Sequence, residues 1–186
     1  MLKVIQTGIE GLIQLQPSVF ADDRGWFMES FKASAFKEVG IDRTFLQDNI
    51  SHSKKGVLRG LHFQNPPYEQ AKLVWVPEGS VLDVAVDLRK DSRTYGKYFK
   101  LILDSRLKNM LFIPEGFAHG FQALEDSLFH YKCSGEYTPG FEGGIIWNDP
   151  DLAIEWALVN PVISDKDSRL PAFRELINKG LLPEKT

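Results

Sequence analysis

LFIPEGFAHGFQAL, residues 111–124, is the stretch on which the reading of the fold turns. Apolar runs of strand length lie on either side of Pro114 and Gly116. Proline locks φ near a value that turns use and glycine accepts a positive φ, so the pair marks a tight turn between two strands. His119 enters the second strand three residues after Gly116. In double-sheet β proteins that spacing aims the imidazole into the mouth of the barrel. A second histidine has a similar setting, since VLRGLHFQ, residues 57–64, holds Arg59 and His62 in an otherwise apolar run. Each loses hydration if its neighbours draw it into the fold, so each needs a partner or a task there. Strict alternation puts Arg59 and His62 on opposite faces, although Gly60 between them can relax the strand into a bulge.

Outward from these two segments, a short apolar run followed by a turn residue recurs along the chain. GLIQLQPSVF, TFLQDNI, VLRGLHF, KLVWVPEG, SVLDVAVDLR, YFKLILD, NMLFIPEG, HGFQAL and SLFHYKCS each have strand length, and Gly, Pro, Asp or Asn bounds most of them. In SVLDVAVDLR, Leu82, Val84, Val86 and Leu88 share one face while Asp83, Asp87 and Arg89 share the other, the period-two pattern of a half-buried strand. The same rule in LFHYKCSGEY turns Phe129, Tyr131 and Cys133 inward and His130 and Lys132 outward. Helical signals are confined to two places. ESFKASAFKEVG sets Phe31, Ala35 and Phe36 on one side with Gly40 as a stop, and PAFRELINKGL is similar. Nine or more short strands around one core call for an all-β sandwich or barrel, and a jelly roll is the commonest double-sheet solution at this size.

Length and composition set the outer limits. A chain of 186 residues that is 43% hydrophobic is long enough for one sizeable core and short for two, so a single domain over residues 1–186 is expected. The 22 basic and 25 acidic residues are spread along the chain and leave a net charge of -3. With no basic block, no nucleic-acid partner is indicated. Cys133 is the only cysteine, which excludes an internal disulfide and fits a reducing compartment. MLKVIQTGIEGLIQLQP lacks the apolar core of a secretory signal, and no run of about 18 apolar residues occurs. A soluble cytoplasmic protein without a membrane partner is the expectation.

PEGFAHGF, residues 114–121, resembles the second motif of the cupin superfamily, in which a proline, a glycine and a histidine stand at this spacing. In metal-binding cupins the first motif supplies two histidines one residue apart and a glutamate a few positions later. Its counterpart here is RGLHFQNPPYEQ, where His62 stands alone before Phe63 and Gln64. One imidazole from each motif is too few for a stable metal site. The resemblance therefore implies a cupin-type jelly roll whose chemistry uses no metal.

Read over the whole chain, the resemblance narrows. DDRGWFMESF, FLQDNISHSKKGVLRGLHFQ, AKLVWVPEGSVLDVAVDLRKDSRTYGKY, FIPEGFAHGFQAL, YKCSGEYTP, IIWNDPDLAIEW and SDKDSRLP follow one another and cover nearly all of it. Together they are similar to the dTDP-4-dehydrorhamnose 3,5-epimerase family. Any one run is weak evidence, whereas seven in order are strong. Trp26 stands where phenylalanine is usual in DxRGxF, and the loop NPPYEQ is rich in proline. These departures bear on fine specificity and remove no reactive group.

The resemblance implies dTDP-4-dehydro-6-deoxy-D-glucose as substrate. Its C4 ketone makes the hydrogens on C3 and C5 acidic, so inversion needs a base, a donor for the enolate oxygen and an acid on the opposite face. No cofactor is implied. His62 becomes the base, a role suited to an imidazole near neutral pH. Asp167, in the segment Ser164, Asp165, Lys166 and Asp167, becomes the carboxylate that fixes its tautomer. Tyr131 matches the acid, and Tyr137 matches a second pocket tyrosine that packs on sugar or base; which of the two delivers the proton stays open. Lys72 lies near the reacting sugar, where an ammonium neutralises the enolate. Arg59 and His119 match sugar- and phosphate-side positions, and the forked guanidinium of Arg24 matches a diphosphate ligand. Glu29, Gln47, Asp48, Asn49, Glu142 and Lys166 match further binding positions, some of them reaching across the interface of a homodimer.

Three rivals set the comparison. An epimerase that inverts only C3 of a related nucleotide-linked 4-keto-6-deoxy sugar uses the same base and acid. A metal-dependent cupin enzyme needs the missing histidine pair. A non-catalytic sugar-binding cupin needs the cationic pocket but neither His62 nor Tyr131.

Overall fold

A computed structural model describes residues 2–183. In chain order its strands are β1 (Lys3–Gln6), β2 (Ile13–Gln16), β3 (Val19–Asp22), β4 (Gly25–Met28), β5 (Gln47–Ser53), β6 (Leu58–Gln64), β7 (Lys72–Glu78), β8 (Ser80–Asp87), β9 (Tyr98–Asp104), β10 (Met110–Ile113), β11 (Phe117–Ala123), β12 (Ser127–Cys133) and β13 (Glu142–Gly144). The helices are α1 (Ala33–Glu38) and α2 (Phe173–Lys179), with a 3-10 turn at Asp167–Arg169. A six-stranded sheet, ordered β1-β2-β10-β7-β12-β5, faces a five-stranded sheet, ordered β13-β6-β11-β8-β9. Pairing within both sheets is antiparallel. The fold is a mostly-β sandwich with a few short helices, as the strand-and-turn pattern implies. Among the described residues no helix is long and apolar enough to cross a membrane.

Apolar residues fill three layers. Between the sheets, Leu12, Val74, Val81, Leu103, Leu111 and Phe129 interlock. Complete burial of a side chain the size of Phe129 is worth roughly 1.5–3 kcal/mol. On the outer face of the five-stranded sheet, Leu61, Val84 and Val86 pack under Ile145, Leu152 and the α2 residues Phe173 and Leu176. On the outer face of the six-stranded sheet, Leu15, Leu73, Trp75 and Met110 pack under Phe36 and Ile41. Both helices thus act as covers. α1 buries Phe36, and Gly40 follows it at φ +89°; α2 is ended by Gly180 in the left-handed region.

This layering corrects the reading of SVLDVAVDLR. β8 is not half-buried, because every residue from Ser80 to Asp87 is buried. Its leucine and valine face lies beneath the C-terminal segment, and its other face looks into the sandwich with Asp83 and Asp87 fully enclosed. Burial tends to raise the Asp87 carboxyl. Hydrogen bonds from Arg89, Ser92 and Thr94 outweigh it and hold that group below the ordinary value.

Two glycines position the segments that carry the histidines. The turn between β10 and β11 falls at Pro114–Gly116 as expected, and Gly116 has φ +83° with its backbone against Arg89. Gly60 lies where β6 crosses β11 at closest approach. A Cβ there would sit 2.6 Å from the Gly120 Cα, so no side chain fits. The register also slips here: His119 faces His62 but Phe121 faces Arg59, leaving one extra residue on β6. That bulge answers the conflict over alternation. Arg59 and His62, three apart, both turn into the sandwich while Leu61 joins the outer layer.

Candidate active site

One end of the sandwich opens into a cavity of about 740 Å³ between the sheets. The five-stranded sheet contributes Arg59, His62 and Gln64 from β6 and His119 and Phe121 from β11. The facing sheet contributes Gln47 and Asn49 from β5, Lys72 from β7, and Phe129, Tyr131 and Cys133 from β12. The two histidines that opened the question therefore share one pocket, directly paired across β6 and β11.

His62 is paired with Asp167, its Nε2 lying 3.2 Å from Oδ1. The carboxylate is almost wholly buried, accepts the Gly60 N–H through Oδ2 at 3.1 Å, and is held in place by its own N–H donating to Ser164 Oγ at 3.0 Å. Burial tends to raise the Asp167 carboxyl, but the contact with His62 and these backbone and hydroxyl bonds together hold it below its ordinary value. An anion fixed beside one ring nitrogen assigns the proton of a neutral imidazole to Nε2 and leaves the lone pair on Nδ1.

Tyr131 stands on the opposite wall. Alternation along β12 sends Phe129, Tyr131 and Cys133 inward as expected, and Tyr131 leans on Phe129 at a ring distance of 5.9 Å. Phe129 in turn stacks on Phe121 at 4.0 Å, forming an apolar base to the pocket. Burial pushes the Tyr131 phenol up, Cys133 adds to that, and the Arg59 charge partly offsets it. Lys72 pairs in register with Cys133. Burial drives its ammonium below the usual lysine range, opposed by Cys133 and Asp83.

The rim is polar. Tyr137 Oη donates to Glu142 Oε2 at 3.0 Å, and Lys166 Nζ reaches the same oxygen at 2.8 Å. The Tyr137 loop is tied to both sheets: Gln47 Oε1 accepts its N–H at 2.7 Å, and Gln64 Oε1 accepts the Thr138 N–H at 2.8 Å. The half-exposed Tyr137 ring thus has a fixed backbone and an open face. Among the described residues no three His, Cys, Asp or Glu side chains cluster so as to hold a metal ion.

The family model described as dTDP-4-dehydrorhamnose 3,5-epimerase matches residues 6–175. The chain belongs to that family. The epimerase of Shigella flexneri is 51% identical over 168 residues, 89% of this chain and 93% of the relative. The Legionella pneumophila enzyme solved in complex with dTDP-4-keto-L-rhamnose is 44% identical, with full coverage of both chains and a TM-score of 0.93. A 3'-monoepimerase from Streptomyces bikiniensis, solved with dTDP-quinovose, is more distant at 34% identity, covering 95% of this chain and 90% of its own, with a TM-score of 0.89. This epimerase is an isomerase acting on a dTDP sugar.

Of the residues the resemblance singles out in this epimerase, Gln47, Asn49, Arg59, His62, Lys72 and His119 line the cavity. Tyr131, Tyr137, Glu142, Lys166 and Asp167 line it too. Three do not. Asp48 projects from the other face of β5 and pairs with Lys132 at 2.7 Å, since period two separates it from Gln47 and Asn49. Arg24 sits at the tip of the β3–β4 hairpin, 90% exposed and paired with its neighbour Asp22, and Glu29 follows β4 on the surface. One buried ionisable group at this site escaped the sequence reading. Asp83, on the inner face of β8, lies with Oδ2 2.8 Å from His119 Nε2.

Proposed function

We propose that this epimerase inverts C3 and C5 of dTDP-4-dehydro-6-deoxy-D-glucose with His62 as the base and Tyr131 as the acid. What supports the reading is the placement of these two groups on facing sheets of one cavity, so that a flat enolate held between them meets a base on one side and a proton donor on the other. Nδ1 of His62 takes the proton α to the C4 ketone, the electron pair moves onto the ketone oxygen, and Lys72 faces the resulting oxyanion with a positive charge. Tyr131 then returns a proton to the same carbon from the opposite face. Asp167 holds the imidazole and balances the imidazolium. Arg59 and His119 bind toward the sugar and phosphates, and Tyr137 offers its open ring to the substrate at the rim. Incubation with the dTDP-4-keto sugar in deuterium oxide, followed by NMR, is expected to show solvent deuterium and inversion at both C3 and C5. Inversion confined to C3 would place this epimerase with the 3'-monoepimerases instead.

The same proposal includes a cytoplasmic homodimer. The β3–β4 hairpin holds Phe20, Trp26 and Phe27 at 64%, 55% and 66% exposure, anchored within its own chain by Lys108 Nζ lying 3.8 Å from the Trp26 ring centre. So much apolar surface on one ribbon favours a partner. Arg24 and Glu29 ride on that ribbon and stay outside the cavity of their own chain, which fits delivery into the cavity of a two-fold partner. Two checks follow. The mass in solution should be that of a dimer. Mixed dimers of Arg24→Ala chains and His62→Asn chains should regain activity, because one site per hybrid has both groups intact. If the two residues serve the same chain's cavity, no hybrid site is whole and mixing restores nothing.

A further inference from the structure

Arg59 lines the cavity, and its anchors carry no charge. Its guanidinium bridges the two sheets where the chain crosses from β5 to β6. Nε donates to Ser53 Oγ at 3.0 Å, and Nη2 donates to the His52 carbonyl at 3.3 Å. Among the described residues no carboxylate pairs with this arginine. An arginine kept only to tie two sheets together gains most from an anionic partner. One held by two neutral acceptors keeps its full charge for an anion that arrives from outside. Ser53 closes β5 and is 1% exposed, so its hydroxyl is a fixed acceptor enclosed by the fold. A guanidinium presents five N–H donors in a rigid planar fork. β5 takes the Nε–Nη2 edge of that fork, which leaves the Nη1 end for the cavity.

We propose that Ser53 is a positioning residue of the active site, clamping one edge of the Arg59 guanidinium so that its other end receives a phosphoryl oxygen of the nucleotide-sugar diphosphate. A free arginine side chain samples many rotamers, and ordering them at the moment of binding weakens affinity. Two acceptors on β5 order this one beforehand, and two points fix the plane of the fork. The His52 carbonyl belongs to the backbone and any residue can supply it. The hydroxyl at position 53 is therefore the half of the clamp that the sequence specifies. Alanine there removes the acceptor of Nε, frees the plane of the fork to turn, and leaves the His62–Asp167 pair on the other sheet as it is. The loss should therefore fall on binding of the diphosphate and much less on the chemical step.

This inference rests on the epimerase reading for the identity of the anion, and the two are tested apart. Ser53→Ala is expected to weaken dTDP binding and to raise KM by about tenfold, the effect of one hydrogen bond to a charged group, with kcat little changed. Thymidine, which lacks the phosphates, should bind as it does to the wild type. Ser53→Cys fills the same space with a weak acceptor, so it should match Ser53→Ala and guards against a fold defect from lost volume. Ser53→Thr keeps the hydroxyl and should restore most of the affinity. In protein that already carries Arg59→Ala, adding Ser53→Ala should change dTDP affinity no further. Equal loss of thymidine and dTDP affinity overturns the proposal, as does a Ser53→Ala effect that persists undiminished without Arg59. Wild-type dTDP affinity in both Ser53→Ala and Ser53→Cys, beside a loss in Arg59→Ala, also overturns it and leaves the epimerase reading intact. A wild-type protein that binds dTDP through Arg59 and Ser53 but exchanges no deuterium into the dTDP-4-keto sugar overturns the reading of the reaction and leaves the clamp standing.

Discussion

His62→Asn is expected to abolish deuterium exchange at both C3 and C5 while dTDP binding is nearly unchanged. Removal of a positioned general base typically costs ~10²- to 10⁴-fold. One imidazole serves both carbons because each is α to the same ketone, so exchange at the two positions should fall together. Binding should survive because the nucleotide-side candidates, Tyr137 with Glu142 and Lys166 at the rim, are tied to the chain by their own hydrogen bonds and not through His62. Asp167→Asn should act in the same direction with a smaller loss. It leaves a group able to hydrogen-bond the imidazole but removes the charge that stabilises the imidazolium, and the Gly60 N–H loses an anionic acceptor. Exchange rates and dTDP affinity measured side by side decide this. A His62→Asn variant that exchanges at the wild-type rate would show that the base lies elsewhere in the cavity.

Most of the architecture is legible in the chain because turn chemistry and period two are local. The Pro114–Gly116 turn, the inward face of β12 and the covers ended by Gly40 and Gly180 all follow from residues within a few positions of one another. What resisted reading depends on neighbours distant in sequence. Leu82, Val84 and Val86 alternate with Asp83 and Asp87 as on a strand with one wet face, but the C-terminal segment dries one side and the opposing sheet dries the other. Nothing in SVLDVAVDLR announces a partner at position 119 for Asp83. Asp48 is different, since the alternation used for β12 would have placed it apart from Gln47 and Asn49 had it been applied to β5. The roles of the site residues came from resemblance, because a histidine in an apolar strand or an aspartate in a loop carries no chemistry until the fold brings the two within 3.2 Å.

Tyr131→Phe should separate proton removal from inversion. The substitution keeps the ring against Phe129, so the apolar base of the pocket keeps its shape and only the phenolic oxygen is lost. His62 and its Asp167 partner are untouched on the other sheet. Deprotonation at C3 therefore continues, and the enolate is reprotonated mainly by the imidazolium on the face it left. The imidazolium proton exchanges with solvent, so C3 should take up deuterium while the original configuration is regenerated and little product accumulates. Loss of the acid should lower inversion by ~10²- to 10⁴-fold, with a much smaller change in exchange. Because burial holds the phenol protonated well into alkaline pH, wild-type inversion should not lose its acid near neutrality. Tyr137→Phe is the control. It loses the bond to Glu142 at the rim and should show a milder defect, expressed in binding or in the second inversion at C5. Deuterium content against product formation, read for each variant, gives the ratio that matters. If Tyr131→Phe keeps the wild-type ratio while Tyr137→Phe exchanges without inverting, the proton comes from the rim tyrosine and the two exchange roles.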